Sequence, residues 1–394
     1  KDYVVLNFQF LTLAQSSKLW NNLRGMMSSH PFLFYILLGL EILYSIDKGR
    51  AKVIGIVRKL VLGLVLAICG LAPISASDVV VQADSPTGFE VYVMTVGDTV
   101  VKLCPKAGAN AYSISVDGVE YLRQPESLEQ LPGVGYGNPV LYPMPNRVKN
   151  SEFTFGGQRV RFEPNAGGNF IHGLVNRHHW AVDSVLKQPD HVSVRCSASF
   201  ENGEELARLF PFPHVIYLTV TVRANSVRWT YQVDNSQGQA SVPFGFALHP
   251  YFIYQGERAE TYLTIPATHW MQSTQQLPSG KLVPASELDY SLGKPLSLAG
   301  TRFDDVFWGM TPERQTLIDF RGAQRQVEIA ASAEFTHLVV WTPDRPYFGV
   351  ESQTCSTDAH NLHADGFQEA AHLQICPPGD RLSGWVEYSF PAKR

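Results

Sequence analysis

From residue 88 onward the chain alternates apolar and polar residues with a period near two, and stripes at helical spacing are scarce. A period of two belongs to a pleated strand with one buried face. The clearest runs are residues 192–198, 215–222, 227–233, 326–330, 338–341 and 386–390. Turn-forming pairs punctuate them at Asp117-Gly118, Gly156-Gly157, Asn202-Gly203 and Ser279-Gly280. Residues 215–222 and 227–233, joined through Arg223-Ala224-Asn225-Ser226, predict an antiparallel hairpin. The expected fold is all-β, a large antiparallel β-sandwich. No repeat of fixed period is visible, which argues against a propeller or a solenoid, and no long linker interrupts residues 88–394, so one domain is expected there.

The first 77 residues differ in kind. Residues 53–59 are basic-flanked, residues 60–72 form an uninterrupted apolar and glycine run of 13 residues, and Pro73-Ile74-Ser75-Ala76-Ser77 offers small residues for cleavage. This layout predicts a secretory signal peptide over 53–77, because 13 residues fall short of the ~20 that cross a bilayer. About fifty residues precede it, so residues 1–52 are expected to be an upstream extension or a fragment artefact. The competing reading is a membrane segment over 31–46, which is short for a span and contains Glu41. The expected mature domain is 78–394, exported to the periplasm or secreted.

Charge narrows the partners. Residues 1–77 hold 8 basic and 3 acidic residues, which leaves 24 Lys/Arg against 33 Asp/Glu in the rest, a formal −9. With no Lys/Arg run after residue 77, nucleic acid and anionic lipid are poor partners, whereas a neutral sugar fits; a monomer or homodimer is expected. Cysteines 104, 196, 355 and 376 are an even set in a compartment that permits disulfides, and both bridges and buried thiols remain open.

Four separated segments carry chemistry: Asn169-Phe170-Ile171-His172-Gly173, Leu248-His249-Pro250-Tyr251-Phe252, Phe303-Asp304-Asp305-Val306-Phe307 and Val350-Glu351-Ser352-Gln353-Thr354. Two imidazoles and two kinds of carboxylate can move a proton between two oxygens of one ring without metal or cofactor. His172 lies in a glycine-rich loop that admits close backbone approach, although a loop histidine can equally be a packing residue. Asn169 adds an amide, and Trp180 offers a ring for a sugar's apolar face, while His178 and His179 are expected to face solvent. His249 precedes Pro250 among apolar neighbours, either as a proton carrier or as a core histidine bonded to a carbonyl. Glu351 follows an apolar strand and either turns to solvent or serves a polar site with Gln353 and Thr354. Of Asp304 and Asp305, one is expected to meet hydroxyls and the other to face away, since successive strand residues point oppositely. Arg147, after Asn146, can donate a two-pronged bond.

Zinc-spaced His/Cys pairs, a Walker loop, a dinucleotide fingerprint and a nucleophile elbow are absent from the sequence. His360, His363 and His372, with Asp358 and Asp365, are spaced too loosely to predict a metal.

These segments, in this order, resemble the aldose 1-epimerase family, the galactose mutarotases. The likeness also includes Asn138-Pro139-Val140-Leu141-Tyr142-Pro143, Asn146-Arg147, Trp180, Asp358-Ala359-His360-Asn361 and Pro377-Pro378-Gly379-Asp380, over about residues 88–391. The resemblance implies a galactose mutarotase-like supersandwich that interconverts the anomers of a free aldose. It implies Glu351 as the base for the anomeric hydroxyl and His249 as the acid for the ring oxygen. It further implies that His172, Asp304, Arg147, Asn146 and Asn169 bind the sugar, with neither cofactor nor metal. Ser352-Gln353 stands where a proline is common, and Gly173-Leu174 where a second glycine often occurs; both departures bear on which sugar is preferred. The alternatives are a hexose-6-phosphate 1-epimerase, a non-catalytic sugar-binding module and, with Asp304 and Glu351 as its two carboxylates, a glycoside hydrolase.

Overall fold

The computed structural model of the chain describes residues 77–391, and every strand pairing among them is antiparallel. The expectations for residues 1–52 and for the export segment up to residue 76 lie outside the described residues. The alternating runs become strands, most of them somewhat longer than the sequence pattern marks: His191–Ser199, Val215–Arg223, Ser226–Asp234, Arg325–Ala331, His337–Trp341 and Arg381–Ser389. Within the predicted hairpin Arg223 opposes Ser226, so Ala224 and Asn225 alone make the turn, with Asn225 in the left-handed region at φ 59°. That register puts Ile216, Leu218, Val220 and Val222 on the same face as Val227, Trp229, Tyr231 and Val233, all essentially inaccessible to solvent. Each such side chain contributes roughly 1.5–3 kcal/mol by leaving water.

Three sheets carry the fold. A five-stranded sheet runs in sequence order from Ser77–Asp84 to Val119–Glu120. A nine-stranded sheet contains the long hairpin, flanked on one side by Ala181–Lys187 and His191–Ser199 and on the other by Arg381–Ser389 and four further strands. An eight-stranded sheet holds, in neighbouring order, His269–Thr274, Asp304–Trp308, His337–Trp341, Tyr347–Gln353 and Ala247–Leu248. One continuous apolar core links them, taking in Val220, Trp229 and Val386 from the second sheet and Phe307, Val340 and Val350 from the third. Among the described residues helix is confined to short pieces such as Glu205–Leu209, Ala359–Ala364 and Gln368–Ala371.

Asp117-Gly118, Gly156-Gly157 and Asn202-Gly203 all lie in turns, whereas Ser279-Gly280 does not. The hairpin of His269–Thr274 and Leu277–Pro284 turns instead at Gln275-Gln276, both with positive φ (51° and 64°). Gly280 sits inside the second strand at φ 83°, where a β-carbon would lie 2.5 Å from the Phe367 ring. Its glycine therefore makes room for an aromatic neighbour rather than for a turn.

Cys104, Cys196, Cys355 and Cys376 are all buried free thiols, which decides between the two cysteine readings.

Candidate functional site

Register alone assembles half of the site. Across the eight-stranded sheet, Val340 opposes Val350 and both enter the main core, so their neighbours Val339 and Glu351, a second opposed pair, share the other face. On that face Trp341 opposes Asp304 in one row, and Val306, Val339 and Glu351 align in the next. Ala247 opposes Gln353 and brings His249 two residues further along the neighbouring strand's end. The period of two thus puts Asp304 with Glu351 and sends Asp305 to the opposite face, where it accepts a bond from Trp270 Nε1 at 2.8 Å.

The floor of the site is a carboxyl and an imidazole. Glu351 and His249 are 2% and 5% exposed, and His249 Nε2 lies 3.4 Å from Glu351 Oε1. The other carboxyl oxygen accepts from Gln353 Nε2 at 3.1 Å. The His249 ring stacks on Tyr251 with centroids 4.6 Å apart and planes 10° apart, and the Trp341 ring stands edge-on at 6.0 Å. Its backbone N–H donates to Pro139 O at 2.9 Å, so the imidazole is fixed from both ends.

A loop delivers the second imidazole. His172 has φ 73° and its N–H donates to Asn146 O at 2.9 Å. Gly173 follows at φ 70°, where a β-carbon would fall 2.4 Å from the Tyr142 carbonyl oxygen, so only glycine lets the loop lie this close. The His172 ring meets His249 edge-on, 5.1 Å between centroids. The Nδ1 atoms of both rings are buried without a protein partner. Two unpaired imidazole nitrogens at one place are polar capacity that a hydroxylated ligand can use.

Charges rim the floor. Arg147 and Asp304 are half-buried; Arg147 Nη1 donates to Asn146 Oδ1 at 3.1 Å, and Gln276 Nε2 donates to Asp304 Oδ2. Burial pushes the Glu351 carboxyl up to about 8; the Asp304 charge adds to this, while the Gln353 bond and the Arg147 charge oppose it. Burial holds His249 down at about 4 and His172 well below its ordinary value, His249 and Arg147 adding to the latter. Asp304 is raised by burial against the pull of Arg147, and Arg147 is lowered by burial against Asp304 and Glu351. Between about pH 4 and 8 the resting Glu351–His249 pair therefore carries one proton, held on the carboxyl.

The structure brings together Glu351, His249, His172, Arg147, Asn146 and Asp304. Asn146, 6% exposed and at φ 57°, acts through its neighbours, its amide holding Arg147 and its carbonyl holding His172. Asn169 Oδ1 instead accepts from Asn150 N at 3.0 Å, which closes the loop ahead of His172. Trp180 is no sugar platform: it is 3% exposed, and its Nε1 donates to Val175 O within the core. His360 and His372 bond the carbonyls of Pro243 and Thr354, and no group of three or more His, Cys, Asp or Glu that could hold a metal occurs among the described residues. Sequence reasoning missed Gln276 and Trp341. Gln276 carries no signal, since a Gln-Gln pair is not a turn former; Trp341 carries a weak one, an aromatic closing the apolar run 338–341.

The aldose 1-epimerase family model matches residues 90–389. The protein YihR of Escherichia coli (strain K12) is 22% identical over 270 residues, spanning 66% of this chain and 82% of its own length. The plasmid-borne protein LacX of Lactococcus lactis subsp. lactis is 22% identical over 256 residues, 60% of this chain and 78% of its own. Among solved structures, a galactose mutarotase-like protein from Clostridium acetobutylicum superposes with a TM-score of 0.71 at 20% identity, covering 80% of this chain and 98% of that one. A galactose 1-epimerase from Lactobacillus acidophilus gives 0.66 at 13% identity, covering 81% and 100%. At these identities the structural likeness speaks to the fold, which is that of galactose mutarotase-like proteins.

Proposed function

Because the chain belongs to the aldose 1-epimerase family, we propose that it interconverts the α and β anomers of a free aldose by proton transfer at Glu351 and His249. The observation that carries this reading is the pairing of two buried proton-carrying groups, His249 and Glu351, 3.4 Å apart.

In the catalytic tautomer the proton sits on His249 and Glu351 is charged, an arrangement that the Arg147 guanidinium favours. Glu351 takes the proton from the anomeric hydroxyl, C1=O1 forms, the bond from C1 to the ring oxygen breaks, and His249 gives its proton to that oxygen. The open aldehyde turns about its C1–C2 bond. Closure on the other face returns each proton to its donor, so the cycle ends where it began and consumes nothing. Each positioned proton transfer contributes about 10²–10⁴-fold. His172 steadies the ring oxygen and hydroxyls, and Arg147 and Asp304 fix the sugar's orientation by charged hydrogen bonds. Trp341 and Tyr347, half-buried beside the pair, give the sugar's apolar face a surface. The sequence of residues 53–77 supports export, which intact mass of the natural protein checks.

The test is polarimetry of freshly dissolved α-galactose, α-glucose and a panel of other aldoses, 6-phosphates included. Accelerated approach to anomeric equilibrium with at least one of them is expected; no acceleration with any overturns the assignment.

A further inference from the structure

We propose that Asp358 is a positioning residue that holds Arg147 over the catalytic pair, a role that rests on the function proposed above. Asp358 occupies the position before helix Ala359–Ala364, where an aspartate ordinarily caps its own helix through its side chain. Here it makes no such cap. Its Oδ1 reaches instead to Lys149, accepting the backbone N–H at 2.9 Å, and its own N–H donates to Arg147 O at 2.8 Å. The two bonds straddle Val148 and clasp the backbone on both sides of it.

The clasp is specific in two further respects. Asp358 is 6% exposed and stands at φ 58°, a backbone region uncommon for non-glycine residues that aspartate tolerates better than most. Asn361 Nδ2 donates to the same Oδ1 at 2.7 Å and also to Glu152 O at 3.1 Å, so a second side chain holds the carboxylate in place. Arg147 needs such support. Its strand, Arg147–Val148, is two residues long and pairs only with Phe170–Ile171. Asp358 lies seven residues beyond Glu351 in sequence. The clasp therefore ties the guanidinium to the same stretch of chain that carries the carboxyl it must face.

The experiment compares Asp358→Ala, Asp358→Asn, Arg147→Ala and the double variant Arg147→Ala/Asp358→Ala, in two readouts. In anomerisation, Asp358→Ala lowers kcat/KM on the order of ten- to a hundredfold, chiefly through KM, and has no further effect once Arg147 is alanine. Asp358→Asn, which keeps the accepting Oδ1, stays within a few-fold of the wild type. In phenylglyoxal labelling followed by mass spectrometry, Arg147 reacts several-fold faster in Asp358→Ala and at the wild-type rate in Asp358→Asn. Additive losses, or a lowered Tm with kcat/KM and labelling unchanged, overturn the proposal. If Asp358→Ala does not fold, Asn361→Ala replaces it, with the same non-additivity and faster labelling expected and additivity or unchanged labelling overturning it. A wild type that accelerates no aldose overturns the proposed function; the labelling result still decides the clasp.

Discussion

Nε2 of His249 and Oε1 of Glu351 stand 3.4 Å apart with 6% and 2% of their side chains exposed, and burial drives their proton affinities in opposite directions. An ordinary glutamate and histidine at pH 7 would both be near their solution values, and the carboxyl would be ionised. Here the order is reversed: the acid keeps its proton until about pH 8 and the base refuses one until about pH 4.

The pH profile of kcat/KM follows from that reversal. On the proposed function, the one-proton form of the pair is the active one. Below about 4 it gains a second proton at His249, and above about 8 it loses its only proton from Glu351. A plateau with limbs near these values is expected, and the limbs report the pair rather than either residue. A profile centred between the solution values of Glu and His, rising near 4.5 and falling near 6.5, would contradict it.

On the proposed function, removing either member of the pair removes a proton transfer. Glu351→Gln and His249→Asn are each expected to reduce kcat by about 10²–10⁴-fold in polarimetry. The same Gln variant gives a stability readout with a definite sign. Glu351 binds its proton more tightly folded than unfolded, so its contribution to stability is present below about 4.5 and is lost as pH rises through about 8. At pH 9 Glu351→Gln is therefore expected to be more stable than the wild type, by on the order of a few kcal/mol, with the gap closing towards pH 4. Equal Tm values at pH 9 would show that the carboxyl is solvated after all.

Asp304 and Arg147 pull the alkaline limb in opposite directions. The Asp304 charge raises Glu351 and the Arg147 charge lowers it. Asp304→Asn should move that limb to lower pH, and Arg147→Met should move it to higher pH, both with raised KM if, as proposed, each makes a charged contact to the sugar's hydroxyls. Shifts in the same direction would show that the two charges do not act on Glu351 as their signs imply.

Gly173 offers a test away from the proton chemistry. Gly173→Ala forces an L side chain into φ 70° and a β-carbon to within 2.4 Å of the Tyr142 carbonyl oxygen. A loss of about 1–3 kcal/mol in denaturant unfolding is expected, together with lower activity as His172 is displaced. A neutral substitution would mean that the loop has another low-energy path.

The buried thiols are checked by alkylation. Cys104, Cys196, Cys355 and Cys376 should resist iodoacetamide in the native protein and react in denaturant without prior reduction, since burial also pushes Cys104 up to about 11 and Cys196 to about 12. A requirement for reductant would reveal a bridge.

The strands were legible because alternation is a local property, and the ends of the hairpin at 215–234 could be placed to within one residue. Glu351 and His249 were legible as candidates, each a polar residue among apolar neighbours, and the structure buries them side by side, 3.4 Å apart. The rim was harder. Gln276 reaches Asp304 across a sequence gap of 28 residues, and its turn uses two glutamines in a conformation they seldom adopt. Trp180 misled for the opposite reason: an aromatic beside a loop histidine has the composition of a sugar platform, but the Nε1 bond to Val175 O turns it inward. Which way a side chain leaves a loop is decided by tertiary contacts that composition does not encode.

The hairpin tip at Gln275-Gln276 sets one boundary of the site from outside the core. Glu351 and His249 are locked into a packed sheet, where a change of one methylene is felt throughout. A two-residue tip at the surface answers to almost nothing but the Asp304 oxygen it touches. If the chain acts as proposed, its outermost turn is where one sugar preference could be exchanged for another while the buried pair beneath stays unchanged.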